Sequence, residues 1–194
     1  QSFGRTNALP PRARRAGAQI EWQIRSEARL LMRYTFSETE RFEASFEPTL
    51  QTQSGSDRLR CELEQKLSAR LRLKPRLDLI RPRHTGFAAA TNRALGVALS
   101  LDVLCQLTAR VTLNFRETHF DSRWPLYHYE RDLPGVFTVV ALRERGRRRY
   151  IYGQFKLHPK FSLAGKISSG EAERLTSLPR ANFAWGLQLD WTIR

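Results

Sequence analysis

From Phe183 to Ile193 the chain alternates strictly. Phe183, Trp185, Leu187, Leu189, Trp191 and Ile193 are apolar, and Ala184, Gly186, Gln188, Asp190 and Thr192 between them are small or polar. An extended strand sends successive side chains to opposite faces, so this stretch predicts a strand with one apolar and one wet face. Its length suits a tilted strand that crosses a bilayer. The same period recurs upstream: Ala18 to Ile24, Leu30 to Phe36, Leu59 to Leu67, Leu71 to Leu79, Leu95 to Leu101, Leu107 to Phe115, Ile151 to Leu157 and Phe161 to Ile167. Pro75 falls on an apolar position of its strand, where a proline marks an edge, a bulge or a turn.

The connections between these stretches differ in length. Those at 26–27, 68–69, 102–106 and 158–160 are short, and those at 37–57, 81–86, 117–148 and 168–181 are longer. In an up-and-down meander every short turn then lies at one end and every long loop at the other, as in outer-membrane barrels. A Greek-key sandwich mixes the two. The fold expected is therefore all-β, an antiparallel up-and-down transmembrane β-barrel or the C-terminal part of one, with about 9–10 strands. Residues 1–16 are read as a loop or N-terminal extension and 17–194 as the barrel domain, with long outer loops near 37–57, 117–148 and 168–181. A hidden strand in Gly135–Leu142 makes ten strands, at the expense of the loop asymmetry. Gln1 reads as the start of a processed or truncated chain, and the barrel as a fragment of a larger one.

Charge sharpens this picture. Lys and Arg number 33 against 19 Asp and Glu, a formal net charge of +14. Such an excess ordinarily points to nucleic acid or an acidic surface. Here it is spread over the polar phase of the strands, while the apolar phase is nearly free of charge. A charge facing lipid costs roughly 2–4 kcal/mol at mid-bilayer. Aromatics gather near strand ends at Tyr34, Phe36, Phe115, Phe161, Phe183, Trp185 and Trp191, the positions of interfacial girdles. No apolar run is long enough for a membrane-spanning helix. Cys61 and Cys105 are read as free, small apolar residues.

Residues 109–168 contain Asp121-Ser122-Arg123, then Tyr127-His128-Tyr129-Glu130 with Asp132, then a Gly-Arg-rich turn running from Gly146 into Tyr150 and Tyr152. In these features the stretch resembles the barrel of outer-membrane proteins of the Bacteroidota and their relatives, which often carry N-terminal helix-hairpin-helix repeats. The resemblance implies an outer-membrane location. The sequence given holds no helix-hairpin-helix segment, so no DNA role carries over. The C-terminus offers Gly186, Leu189 and Trp191 at the spacing of an assembly signal but ends Ile193-Arg194.

Three groups of residues are candidates for function. Arg58, Arg60, Arg70, Arg72, Arg76, Arg110 and Lys166 lie on the lumen phase. They either favour anions in a pore or pair with Glu62, Glu64, Asp78 and Asp190 and fill the lumen. Trp124, Tyr127, Tyr129, Glu130 and Asp132, with Arg131, form the densest non-repetitive patch. It is read first as a loop packed on its own aromatics, and otherwise as a ligand patch or an inward-folded constriction. Phe183, Trp185, Leu187, Leu189, Trp191 and Ile193 are expected to face the membrane.

His119, Asp121 and Ser122 are close in sequence, but neighbours in an extended segment point opposite ways, so no catalytic site is assigned. The histidines have no zinc-ligand spacing. Expected partners are outer-membrane lipid and the barrel-assembly machinery, with no cofactor, metal or nucleic acid and with the oligomeric state open. Two other readings compete. One is a soluble basic β-domain that stacks nucleic acid on Tyr150 and Tyr152 beside Arg147, Arg148, Arg149 and Lys156. The other is a barrel enzyme using residues 117–132.

Overall fold

The structure is a computed structural model that describes residues 13–42, 51–85, 95–158, 160–174 and 177–191. It is one antiparallel sheet whose strand order is the chain order: β1 (Ala13–Arg25), β2 (Ala28–Phe42), β3 (Gln51–Lys66), β4 (Leu71–Thr85), β5 (Gly96–Gln106), β6 (Val111–Glu130), β7 (Thr138–His158), β8 (Phe161–Arg174) and β9 (Ser177–Trp191). The meander expected from the alternation is present, and no helix interrupts it among the described residues.

Several boundaries differ from the sequence reading. Residues 13–16, expected in a loop, open β1. Most of the chain expected in long outer loops near 37–57, 117–148 and 168–181 is paired strand. Residues 37–42 and 51–57 extend β2 and β3, and 117–130 and 138–148 extend β6 and β7. Residues 168–174 and 177–181 belong to β8 and β9, which pair up to Arg174 and Ser177, so no long loop joins them. Gly135–Leu142 supplies the turn and the start of β7 rather than a tenth strand. The turn expected at 102–106 lies at 107–110. There Thr108 Oγ1 accepts hydrogen bonds from the N–H groups of Arg110 and Val111, as Ser68 Oγ does from Arg70 and Leu71. The two turns share one pattern, Leu67-Ser-Ala-Arg-Leu71 and Leu107-Thr-Ala-Arg-Val111. Pro75 is at neither an edge nor a turn. It sits in a central strand, where the β3–β4 ladder skips from Glu62↔Arg76 to Gln65↔Leu73, the gap expected where proline offers no N–H. Residues 1–12, 43–50, 86–94, 159, 175–176 and 192–194, Ile193 among them, lie outside the described residues.

The two faces of the sheet have opposite chemistry. One carries Ile20, Trp22, Met32, Leu99, Leu101, Ile151, Ile167, Trp185 and Leu187, all exposed. The other, called inner here, is buried across β4 to β8 and largely polar: Arg76, Asp78, Ser100, Asp102, Asn114, Thr118, Lys166 and Ser168.

The apolar band is slanted against the hydrogen-bonded rows. Ile20, central in the β1 stripe, shares a row with Met32, Cys61, Leu77, Leu99, His119, Arg147, Glu171 and Ala181. That row is apolar as far as β5 and polar or charged on β6 to β8. The stripe of β9 is centred on Leu187, six residues nearer the short turns than Ala181. At about 3.3 Å per residue and 4.8 Å between strands, the band crosses the rows at about 27°.

Strands β6 and β7 outrun their neighbours. β5 pairs with β6 only up to Asp121, and β8 pairs with β7 only from Arg145. Beyond these points the hairpin 122–144 pairs with itself, and its register slips between Ser122 and Leu126, around Pro125. Opposite Ser122, Glu144 has φ +66°, a conformation side chains rarely adopt. Both strands therefore break at one level, and the hairpin turns onto the inner face. At its root the Phe120 ring lies over Gly146, where a Cβ atom would meet the Glu171 carbonyl oxygen at 2.2 Å and the ring at 2.8 Å. Gly146→Ala is expected to cost about 1–3 kcal/mol in urea unfolding, because backbone must move. Gly165→Ala, whose added Cβ meets nothing closer than 3.6 Å, is expected to be neutral.

Candidate functional site

The inner face carries one apolar seat on its wall, made by Ile80, Ala98 and Phe120. Leu126 and Leu142 of the hairpin fill it, with Trp124 and Val140 packed alongside. Each buried leucine contributes about 1.5–3 kcal/mol, enough to favour an inward bend over a solvated loop. At the tip, Leu133 packs on Tyr150, Tyr152 and Ala164.

Between these anchors the hairpin is tied down by charge. Glu130 receives Arg148 and Lys166, the latter at 3.1 Å. Lys166 Nζ also reaches Asp132 at 2.8 Å, and Thr138 donates to the same carboxylate. Arg116 donates to the Tyr129 carbonyl at 2.6 Å while holding Asp102. His128 Nε2 lies 3.0 Å from Asp78, which also takes Arg60 at 2.7 Å and Arg76. Arg131 stacks on the Tyr152 ring, and Gln188 of β9 donates to the Pro134 carbonyl at 3.0 Å. The aromatic patch is thus not a loop packed on itself. Tyr129 does meet Phe137, at 5.1 Å between centroids, but the segment is bonded across to β4, β6, β7, β8 and β9.

The basic residues named from the sequence divide into two groups. Arg60, Arg76 and Lys166 pair with acids on the inner face, and Arg72 reaches Glu64 at 3.6 Å. Glu62 takes Lys74 at 3.2 Å, whereas Asp190 receives the Gln188 amide. Arg70 and Arg110 are the exposed arginines of the two related turns, and Arg110 lines a cavity there with the inner-phase residues Gln154, Ser162 and Asp190. Arg58 stands against the Tyr127 ring, 6.0 Å from its centroid.

Of the cavities that the hairpin leaves beside it, two are the larger. One, about 510 Å³, is lined by Arg15, Arg33, Arg58 and Arg60 on the wall and by Leu126, Tyr127, Tyr129 and Val139 on the hairpin. The other, about 360 Å³, lies nearer the short turns among Glu62, Glu64, Arg72, Lys74, Asp102 and Arg116. The sequence presented the basic residues and the aromatic patch as separate candidates, and the inward bend joins them. Arg148, which the sequence offers only in a stacking patch, is the partner that holds Glu130.

The competing readings lose their residues here. Tyr150 and Tyr152 are each 2% exposed, so neither can stack a base. His119 and Asp121 are exposed on the outer face, while Ser122 is buried on the inner one with its hydroxyl donated to the Trp124 carbonyl. Phe183, Trp185, Leu187, Leu189 and Trp191, expected to face a membrane, are 63–74% exposed.

Breaking a buried charge pair strands its partner, at about 3–5 kcal/mol. Glu130→Gln is therefore expected to free the hairpin, seen as new protease cleavage at 131–137 and a lower urea midpoint. Glu171→Gln, which removes an exposed partner of Arg147, is expected to change the midpoint by less than about 1 kcal/mol. Asp132, in the turn outside the strands, responds to pH. Burial pushes its carboxyl up, but hydrogen bonds from Lys166, Thr138 and the Leu133 N–H outweigh that and hold it below its ordinary value. Its contribution is then complete above the ordinary carboxylate range and lost only as pH falls through the lowered value. Hairpin protection is expected to be flat near neutrality and to fall only in strong acid.

No protein-family model matches the chain, and no curated protein matches it. Among solved structures it is similar to the crystal structure of a Pseudomonas aeruginosa FadL homologue, with TM-score 0.41 and 9% identity, covering 84% of this chain and 50% of that one. The chain thus spans about half the length of that structure.

Proposed function

We propose that this chain is part of a non-enzymatic outer-membrane β-barrel that serves as a narrow pore, with the β6–β7 hairpin as its constriction. The observation that carries this reading is the contrast between the faces: a slanted apolar band outside, and a charged, hydrogen-bonded face inside with a hairpin docked on it. A soluble sheet has no reason to bare its apolar side and cover its polar one. Closed barrels need strands tilted by about 35–45°, and a slant of about 27° tends that way. Trp22, Phe161 and Trp191 lie at the short-turn edge of the band, the last two stacked at 5.6 Å. Tyr34, Phe36 and Phe183 lie at the opposite edge. Beyond that edge the outer face becomes charged, with Arg149–Glu117 at 3.0 Å and Arg147–Glu171 at 3.3 Å, as suits a headgroup layer. The resemblance of residues 109–168 to Bacteroidota outer-membrane barrels agrees with this reading.

Strand direction supports a larger barrel. With nine antiparallel strands, β1 and β9 run the same way, so joining them directly makes a parallel seam. An all-antiparallel barrel needs an odd number of further strands between them.

The tests are direct. The chain is expected in the outer-membrane fraction, within a product larger than itself. Its barrel, refolded in detergent and reconstituted in a planar bilayer, is expected to conduct weakly with a preference for anions, and excision of residues 125–142 is expected to raise the conductance. A product that folds in buffer without detergent, or unchanged conductance after excision, contradicts the reading. Leu187→Arg on the apolar face is expected to cost about 2–4 kcal/mol of folding into bilayers, and Gln188→Arg on the inner face far less.

A further inference from the structure

The larger cavity is a poor piece of sheet. Arg33 and Arg60 are directly opposite one another on β2 and β3, and Arg58 stands opposite Thr35, one inner position along. Like charges facing across a ladder are destabilising. Arg15, opposite Ser37, adds a fourth guanidinium to the lining. The lining holds one acid among the described residues, Asp78, already engaged by Arg60, Arg76 and His128. Among the described residues Arg33 finds the neutral Gln19 amide oxygen, at 2.9 and 2.6 Å, and no acid. Arg58 Nε is buried and meets no hydrogen-bond acceptor among the described residues. Arg33, held by a neutral amide, and Arg58, held against the Tyr127 ring, have no acid partner among the described residues, and that uncompensated positive charge marks a site an anion would complete.

The opposite side of the cavity is mostly apolar, with His128 its polar member. Tyr127, Tyr129, Val139 and Leu126 face the arginines, and Phe137 supports Tyr129 from behind. About 510 Å³ accommodates one ring with an acid group.

We infer that this cavity binds a small aromatic organic anion, its carboxylate forked by Arg33, Arg58 and Arg60 and its flat ring against Tyr127 and Tyr129. The guanidinium fork matches a carboxylate in two parallel hydrogen bonds, and the tyrosine rings offer it a flat apolar wall. The inference rests on the pore reading only for its purpose, since the cavity is made by residues of this chain.

The test is calorimetric titration of the full chain, refolded in detergent, with benzoate, neutral benzamide, cyclohexanecarboxylate and inorganic phosphate. Benzoate is expected to bind most tightly. Arg58→Gln and Arg33→Gln are each expected to weaken it about tenfold or more. Because they relieve like-charge repulsion, they are also expected to leave the unliganded protein as stable as the parent or more so, which a purely structural role forbids. Tyr127→Ala is expected to erase the advantage of benzoate over cyclohexanecarboxylate. Benzamide binding as well as benzoate, phosphate binding better than benzoate, no heat at tens of millimolar, or unchanged affinity in both arginine variants overturns the inference. A protein that conducts but binds no benzoate refutes the site and leaves the pore. One that binds benzoate but folds in buffer without detergent refutes the pore and leaves the site.

Discussion

The Glu130 carboxylate, held between Arg148 and Lys166, is the contact on which the rest of this structure depends. It lies near the tip of a hairpin that leaves the sheet at Ser122 and Glu144 and returns to the inner face farther down the same two strands. Arg148 and Lys166 are inner-face residues of β7 and β8, and without an acid they would stand buried and unpaired. Burial demands that each polar group find a partner, and the inner face of β4 to β8 is buried and mostly polar. The hairpin supplies several of those partners: the Tyr129 and Pro134 carbonyls, His128, Glu130 and Asp132.

The two faces answer the same physics in opposite ways. Inside, charges are matched in pairs and clusters such as Arg60–Asp78–Arg76 and Arg116–Asp102, and among the described residues buried apolar clusters form at the seat of Ile80, Ala98 and Phe120 and at the tip against Tyr150, Tyr152 and Ala164. Outside, the apolar stripes have no protein partner among the described residues, and the charged rows begin only where the band ends. The cavity at Arg33, Arg58 and Arg60 departs from the inner pattern, since its positive charges outnumber the acids that could meet them.

Much of the fold could be read from the sequence because a strand writes its two faces into every second residue. The stripe of β9, the shared inner face of Arg58, Arg60, Arg72, Arg76 and Lys166, and the succession of strands all followed from that period. The turn at 107–110 was legible too, had Thr108-Ala-Arg-Val been set beside Ser68-Ala-Arg-Leu; the alternation carried smoothly through Leu107 and hid it. The inward hairpin left a weaker trace. Leu126 and Leu142 look like any apolar pair, and Pro125 and Glu144 become hinges only when placed opposite one another. Glu130 meets Arg148 because of a bend and a register slip that neither residue encodes, so the aromatic patch and the basic lumen looked like separate features.

The central claim is that one face of this sheet meets lipid and the other a water-filled lumen. The direct measurement is nitroxide scanning of positions 184 to 190 of β9 in proteoliposomes, with Cys61 and Cys105 replaced, recording collision with oxygen and with a water-soluble nickel chelate. A period of two is expected, with Trp185, Leu187 and Leu189 accessible to oxygen and shielded from nickel, Ala184 and Asp190 the reverse, and Gly186 and Gln188 shielded from both beneath Leu133 and Pro134 of the hairpin tip. Uniform accessibility to the nickel chelate along the strand contradicts it.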